Sequence, residues 1–155
     1  MVRVRSVSAK SPRTPPDKLS IIVYSGDYGR VHYALAMASS AAAMNRPATL
    51  FFTMGAIRAL TKPAKGGWGA LPATDDTGHG TGAAQDAAMI EKGLASFEEL
   101  LAACVTFKVS FMVCEMGLRA VDLTPDDLRA DVPYRAGGVV SFLADASATG
   151  ATIFI

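Results

Sequence analysis

The chain has 155 residues, half of them hydrophobic and 19% charged, with a formal net charge of +1. That length suggests one domain with a proper core, and so small a charge excludes a bulk electrostatic pull on nucleic acid. Two cysteines exclude a disulfide scaffold, and the longest nearly apolar stretch, residues 31–44, is too short to cross a bilayer.

Residues 1–17 (MVRVRSVSAKSPRTPPD) are basic and rich in Ser and Pro. With Lys18 they carry five cations against Asp17, a net of +4, which leaves the rest of the chain near −3. They read as a disordered tail, with a partner-binding arm as the alternative. No apolar h-region follows the basic start, so no signal peptide is read and a reducing cytoplasm is the expected compartment. Residues 18–155 form the expected domain.

The domain starts with a short buried strand, 19–24 (LSIIVY), then a Ser25-Gly26-Asp27 turn and an Ala-rich helix over about 30–44. Asn45-Arg46-Pro47 ends that helix, and 48–53 (ATLFFT) is a second strand. A short helix is expected over 54–62. Residues 63–81, with five glycines, Trp68, Asp75, Asp76 and His79, read as a flexible loop. A helix over 83–92 stops at Gly93. Ser96-Phe97-Glu98-Glu99 is a capping box opening a helix to about Val105. A strand, 108–113 (KVSFMV), follows, and Cys114 stands between it and the helix-like EMGLRAV. Thr124-Pro125 is a helix-start signal. Gly137-Gly138 opens a last helix over about 139–146, and residues 152–155 are a final strand.

Strands alternating with helices predict an α/β fold, a mainly parallel sheet with helices on both faces. Sites in such sheets form at the carboxyl ends of the strands. The candidate rim is therefore Ser25, Gly26 and Asp27, Met54 and Gly55, Cys114 with Glu115 and Met116, and Gly137 with Gly138. The loop over 63–81 departs from the same rim.

Cys114 is the residue with the most chemistry. A thiol beside a helix N-terminus meets unpaired backbone N–H groups that favour the thiolate, the nucleophilic form. Glu115 opposes that charge, and Arg119 and Arg135 are placed to favour it. A small buried core residue is the competing reading. Cys104 falls in the last turn of the preceding helix. A strand of about six residues at ~3.3 Å each puts it roughly 20 Å from Cys114. A disulfide needs Cα atoms within about 7 Å, so no internal bridge is expected. Cys104 reads as helix packing, with a secondary thiol role left open.

Other motifs are weaker. Ser25-Gly26-Asp27-Tyr28-Gly29 lacks the spacing of a dinucleotide or P-loop signature, and Asp27 would repel phosphate. His32 and His79 have no metal-ligand partners at useful spacing, so no metal and no cofactor are expected. His32 reads as a packed or capping residue and His79 as a loop residue. Trp68 either covers the rim, fills a subunit contact or anchors the core.

Ser25-Gly26-Asp27 with the Ala-rich helix and Phe51-Phe52-Thr53-Met54-Gly55 resembles the opening of DsrE-like proteins. So do MIEKGLASFEELL (89–101), Val113-Cys114-Glu115-Met116-Gly117-Leu118 and Tyr134-Arg135-Ala136-Gly137-Gly138-Val139. The resemblance covers about 18–155. It implies a three-layer α/β/α fold with about five mainly parallel strands. It also implies sulfur trafficking, as in members encoded with sulfur-oxidation machinery. Cys114 matches the position that takes a sulfane sulfur as a persulfide and passes it on. A TusA-like carrier is the implied partner, and a homo-oligomer, trimer or hexamer with the trimer favoured, the implied assembly. No nucleic-acid or membrane partner is expected. A non-catalytic assembly subunit of a sulfur-relay complex is the alternative. A two-cysteine thiol peroxidase is opposed by the lack of a resolving cysteine within reach.

Overall fold

Five parallel strands run in the order β6-β5-β2-β1-β7 through a computed structural model that describes residues 13–74 and 80–155. In chain order the elements are β1 (Leu19–Val23), α1 (Tyr28–Ala43), β2 (Ala48–Phe52), the two-residue strands β3 (Pro72–Ala73) and β4 (Gly80–Thr81), α2 (Gly82–Glu91), α3 (Phe97–Thr106), β5 (Ser110–Cys114), α4 (Glu115–Ala120), β6 (Tyr134–Gly137), α5 (Val139–Asp145) and β7 (Ala151–Phe154). Helices pack around the sheet as a three-layer α/β/α fold. Residues 1–12 of the expected tail lie outside the described residues. Asp17, at its end, accepts hydrogen bonds from the hydroxyls of Ser147 (2.7 Å) and Thr149 (2.6 Å).

The strand order decides which face each helix covers. From β1 the chain steps to β2, β5 and β6 in one direction, so right-handed crossovers place α1, α2, α3 and α4 on one face. The return from β6 to β7 runs the other way and puts α5 on the opposite face. Side chains follow with period two. Ile21 and Val23, Leu50 and Phe52, Phe111 and Val113 enter a large core with Leu35 of α1, Cys104 of α3 and Leu118 of α4. Phe51, Met112 and Cys114 point the other way and form a second small core with Phe142 of α5, and Ile22 packs against it. Cys114 belongs to this thinner side.

Two expectations need correction. The first is the flexible loop over 63–81. Its described part is folded: 3-10 turns at Pro63–Lys65 and Trp68–Ala70, then β3 pairing antiparallel with β4. Its glycines serve turning rather than looseness, since Gly66 (φ 102°) and Gly67 (φ 60°) occupy the left-handed region. Asp75, Asp76 and His79 lie outside the described residues. The second is the segment 134–138, which leads into the last helix and carries no strand signal of its own. Over residues 134–137 it is the edge strand β6, paired in parallel with β5, so that Gly137 lies beside Cys114. The short helix expected over 54–62 is a 3-10 helix, Met54–Leu60.

Candidate functional site

Cys114 ends β5 and is at once the N-cap of α4. Its Sγ takes the place of a capping oxygen and accepts a hydrogen bond from the Gly117 N–H at 3.4 Å. That donor is held in place by a close approach. A Cβ on residue 117 would lie 2.8 Å from the Met54 backbone nitrogen and 2.9 Å from Thr53 Oγ1 and Ile57 Cδ1. Only glycine lets the first turn of α4 press against the end of β2. Met54 itself is left-handed at φ 47°, a conformation that costs a non-glycine residue of order 1–3 kcal/mol.

The sulfur is enclosed, with Cys114 only 1% exposed. It shares the small core with Phe51, Met112 and Phe142, and the Phe51 and Phe142 rings stack at 5.0 Å. Gly137 is its register neighbour on β6, and Gly138 is the N-cap of α5. Glu115 and Met116 are exposed on the first turn of α4. Arg135, expected to favour charge at the rim, is held by Asp145 at 2.7 Å.

Asp145, at the C-terminal end of α5, is a junction with no local signal in the sequence. Its carboxylate accepts from Lys18 Nζ (2.7 Å), Thr49 Oγ1 (2.6 Å) and Arg135 Nη2 (2.7 Å), and its backbone carbonyl accepts from Lys18 as well (2.7 Å). Burial pushes its carboxyl up. The hydrogen bonds from Lys18 and Thr49, with the Lys18 charge, outweigh that and hold it below the usual carboxylate range.

The other sequence candidates separate from Cys114. Asp27 is a brace: one carboxylate oxygen caps α1 through the Gly29 N–H (3.0 Å), and the other accepts from the Thr74 N–H (2.8 Å) and hydroxyl (2.9 Å). Ser25 Oγ accepts from the Asp27 N–H at 3.2 Å. Gly26 and Gly55 let the ends of β1 and β2 touch. Cys104 is buried in the large core, its thiol donating to the Leu35 carbonyl at 3.4 Å, and burial pushes it up to about 12. His32 bonds through Nε2 to the Ala95 carbonyl at 2.8 Å, the packed role. Trp68 anchors the core: it stacks on Phe97 at 4.9 Å and donates to Glu98 at 2.7 Å. The loop that carries Trp68 packs against the large core, on the side of the sheet away from Cys114. Among the described residues no group of three His, Cys, Asp or Glu is placed to hold a metal ion.

Phe51, Met112 and Phe142, which wall in the sulfur, were missed in the sequence. Period-two alternation along β2 and β5 was the signal that could have found the first two. The DsrE/DsrF-like family model matches residues 17–151. The chain belongs to the DsrE/DsrF-like family. The DsrE/DsrF-like family is generally linked to sulfur relay. The crystal structure of the YchN protein from E. coli aligns with this DsrE/DsrF-like chain at a TM-score of 0.52 and 14% identity, over 89% of this chain and 97% of that one. At that identity the likeness concerns the fold alone. No curated protein matches the chain significantly. Among the described residues no helix is long and apolar enough to cross a membrane.

Proposed function

We propose that this protein is a sulfurtransferase or sulfur carrier that takes a sulfane sulfur as a persulfide on Cys114 and relays it to a TusA-like carrier in cytoplasmic sulfur metabolism. The observation that carries this reading is the Gly117 N–H directed at Cys114 Sγ, at the carboxyl end of a central strand. In the first step the Cys114 thiolate attacks the outer sulfur of a donor persulfide or thiosulfonate. The new S–S bond forms as the donor's S–S bond breaks, and the donor leaves as thiolate or sulfinate. In the second, the carrier's thiolate attacks the outer sulfur of Cys114–S–SH, and the Cys114 thiolate leaves. No net oxidation occurs, and neither step calls for a metal or organic cofactor. The Gly117 N–H, hydrogen-bonded to Sγ, faces the charge the sulfur carries at the start of the first step and the end of the second.

The test is a relay assay. Protein loaded from polysulfide is mixed with a TusA-like carrier, and both masses are followed. Loss of about 32 Da from this protein and its gain by the carrier is the expected result, one sulfur atom moving per exchange. Cys114→Ser should abolish the transfer. A Cys114→Ser variant that still loads and transfers would overturn the proposal.

The alternative is a non-catalytic assembly subunit, and either kind of subunit needs a contact surface. The face that carries α5 is apolar and open, with Val140 82% and Leu143 62% exposed beside Phe154 at 66%. Soluble monomers rarely leave such side chains clustered. We assign this face to contact with further copies of the chain in a homo-oligomer, a trimer in preference to a hexamer. It serves either reading, and the relay assay separates the two.

A further inference from the structure

The geometry points to α5 as a lid over Cys114, with Asp145 as the positioning residue that latches it. The inference rests on the reading that Cys114 is the reacting thiol. Attack at sulfur depends on access, and Cys114 is 1% exposed. One of its walls must therefore move before any donor can reach it.

Within a single chain the walls are not equally free, and a neighbouring copy on the outer face of α5 would add to its restraint. Phe51 and Met112 stand on β2 and β5, the strands at the centre of the sheet order. The start of α4 is pressed onto the backbone of Met54 through Gly117, and Leu118 enters the large core. α5 differs. It has seven residues, and Phe142 is the one it buries fully. A Cβ on Gly138, at its start, would meet nothing within 4 Å, so crowding does not call for glycine there. A flexible residue at the base of a short covering helix fits a hinge.

Of the ties at the far end, those of Ser147 and Thr149 to Asp17 lie beyond the helix, and the one made by α5 itself is the Asp145 carboxylate. It reaches Lys18 just before β1, Thr49 on β2 and Arg135 on β6, at 2.7, 2.6 and 2.7 Å. One side chain thus ties the helix to three places across the sheet. Thr49 is fully buried, and the side chains of Lys18 and Asp145 are 18% and 20% exposed. Charge-assisted bonds in such a partly dry setting outweigh an ordinary surface ion pair.

The test measures access rather than sulfur chemistry. Full-length wild type, Asp145→Asn and Arg135→Gln are treated with iodoacetamide in native buffer, and alkylation is followed separately on the Cys114 and Cys104 peptides. Cys104, buried in the large core, reports global unfolding. Asp145→Asn should speed Cys114 alkylation about tenfold, the scale of losing one charge-assisted hydrogen bond. Arg135→Gln, which removes one of the three ties, should give a smaller rise. Cys104 should stay slow in all three. An unchanged Cys114 rate in Asp145→Asn, or a rise at Cys104 in parallel, would overturn the latch. So would wild-type Cys114 reacting as fast as a free thiol. Polysulfide loading of wild type keeps the two claims apart. Loading on Cys114 with an unchanged alkylation rate removes the latch alone. Faster alkylation without loading removes the sulfur reading alone.

Discussion

Cys104 and Cys114 are both buried thiols ten positions apart, yet their sulfurs meet different surroundings. Cys104 donates to a carbonyl inside the large core, and its ionisation is pushed up to about 12. An unfolded cysteine ionises near ~8.5. Between those values the unfolded chain releases a proton that the folded chain keeps. The stability from a neutral Cys104 is therefore fully present below pH ~8.5 and is lost as pH rises towards 12, with a slope of up to ~1.4 kcal/mol per pH unit. Urea midpoints at pH 8, 9 and 10 should fall more steeply for wild type than for Cys104→Ala. Parallel curves would contradict the burial account. Gly117 is the other residue with a sharp expectation. Gly117→Ala sets a Cβ 2.8 Å from backbone and should cost about 1–3 kcal/mol, while displacing the N–H from Cys114. A variant as stable as wild type would contradict that close approach. At this scale the sequence showed Cys114, because a thiol at a strand-to-helix switch is a local pattern. It could not show Asp145 or Phe142, whose partners are set by the order of the strands.

Among the elements, β1, β2 and the capping box at Ser96 were legible because their signals lie within a few residues of each other. The Ser96 hydroxyl accepts from the Glu99 N–H, and the Glu99 carboxylate accepts from the Ser96 N–H. β6 was not legible. Its residues Tyr-Arg-Ala-Gly have no apolar run, Arg135 and Ala136 are exposed, and the ladder with β5 alone makes them a strand. The loop after residue 62 is illegible from composition, because glycines that turn the chain and glycines that loosen it look alike. Its only tryptophan gives a direct check. Trp68 packs with Tyr28 and Phe97 on the side of the sheet away from Cys114, so its fluorescence should not change when Cys114 is loaded from polysulfide. A shifted emission maximum would return that loop to the site. Removing the single side chain that α5 buries, as Phe142→Ala, should cost about 3–5 kcal/mol by urea denaturation. A loss below ~1 kcal/mol would mean that the small core contributes little.

The whole molecule has one thick side and one thin one, a consequence of three strands added to β1 in one direction and β7 added in the other. The thin side carries both the enclosed thiol and the exposed Val140, Leu143 and Phe154. Charges placed there should separate the copies. Val140→Glu with Leu143→Glu should reduce the mass seen by light scattering to near the 16.2 kDa of one chain, while wild type gives a multiple of it. Wild type at the monomer mass would exclude the homo-oligomer. The most direct measurement of the central claim is intact-protein mass after brief treatment with polysulfide, on wild type, Cys114→Ser and Cys104→Ser side by side. Wild type and Cys104→Ser should each gain about 32 Da per sulfur bound, and Cys114→Ser should gain none. Loading that survives in Cys114→Ser and disappears in Cys104→Ser would contradict the assignment of Cys114 as the sulfur-carrying thiol.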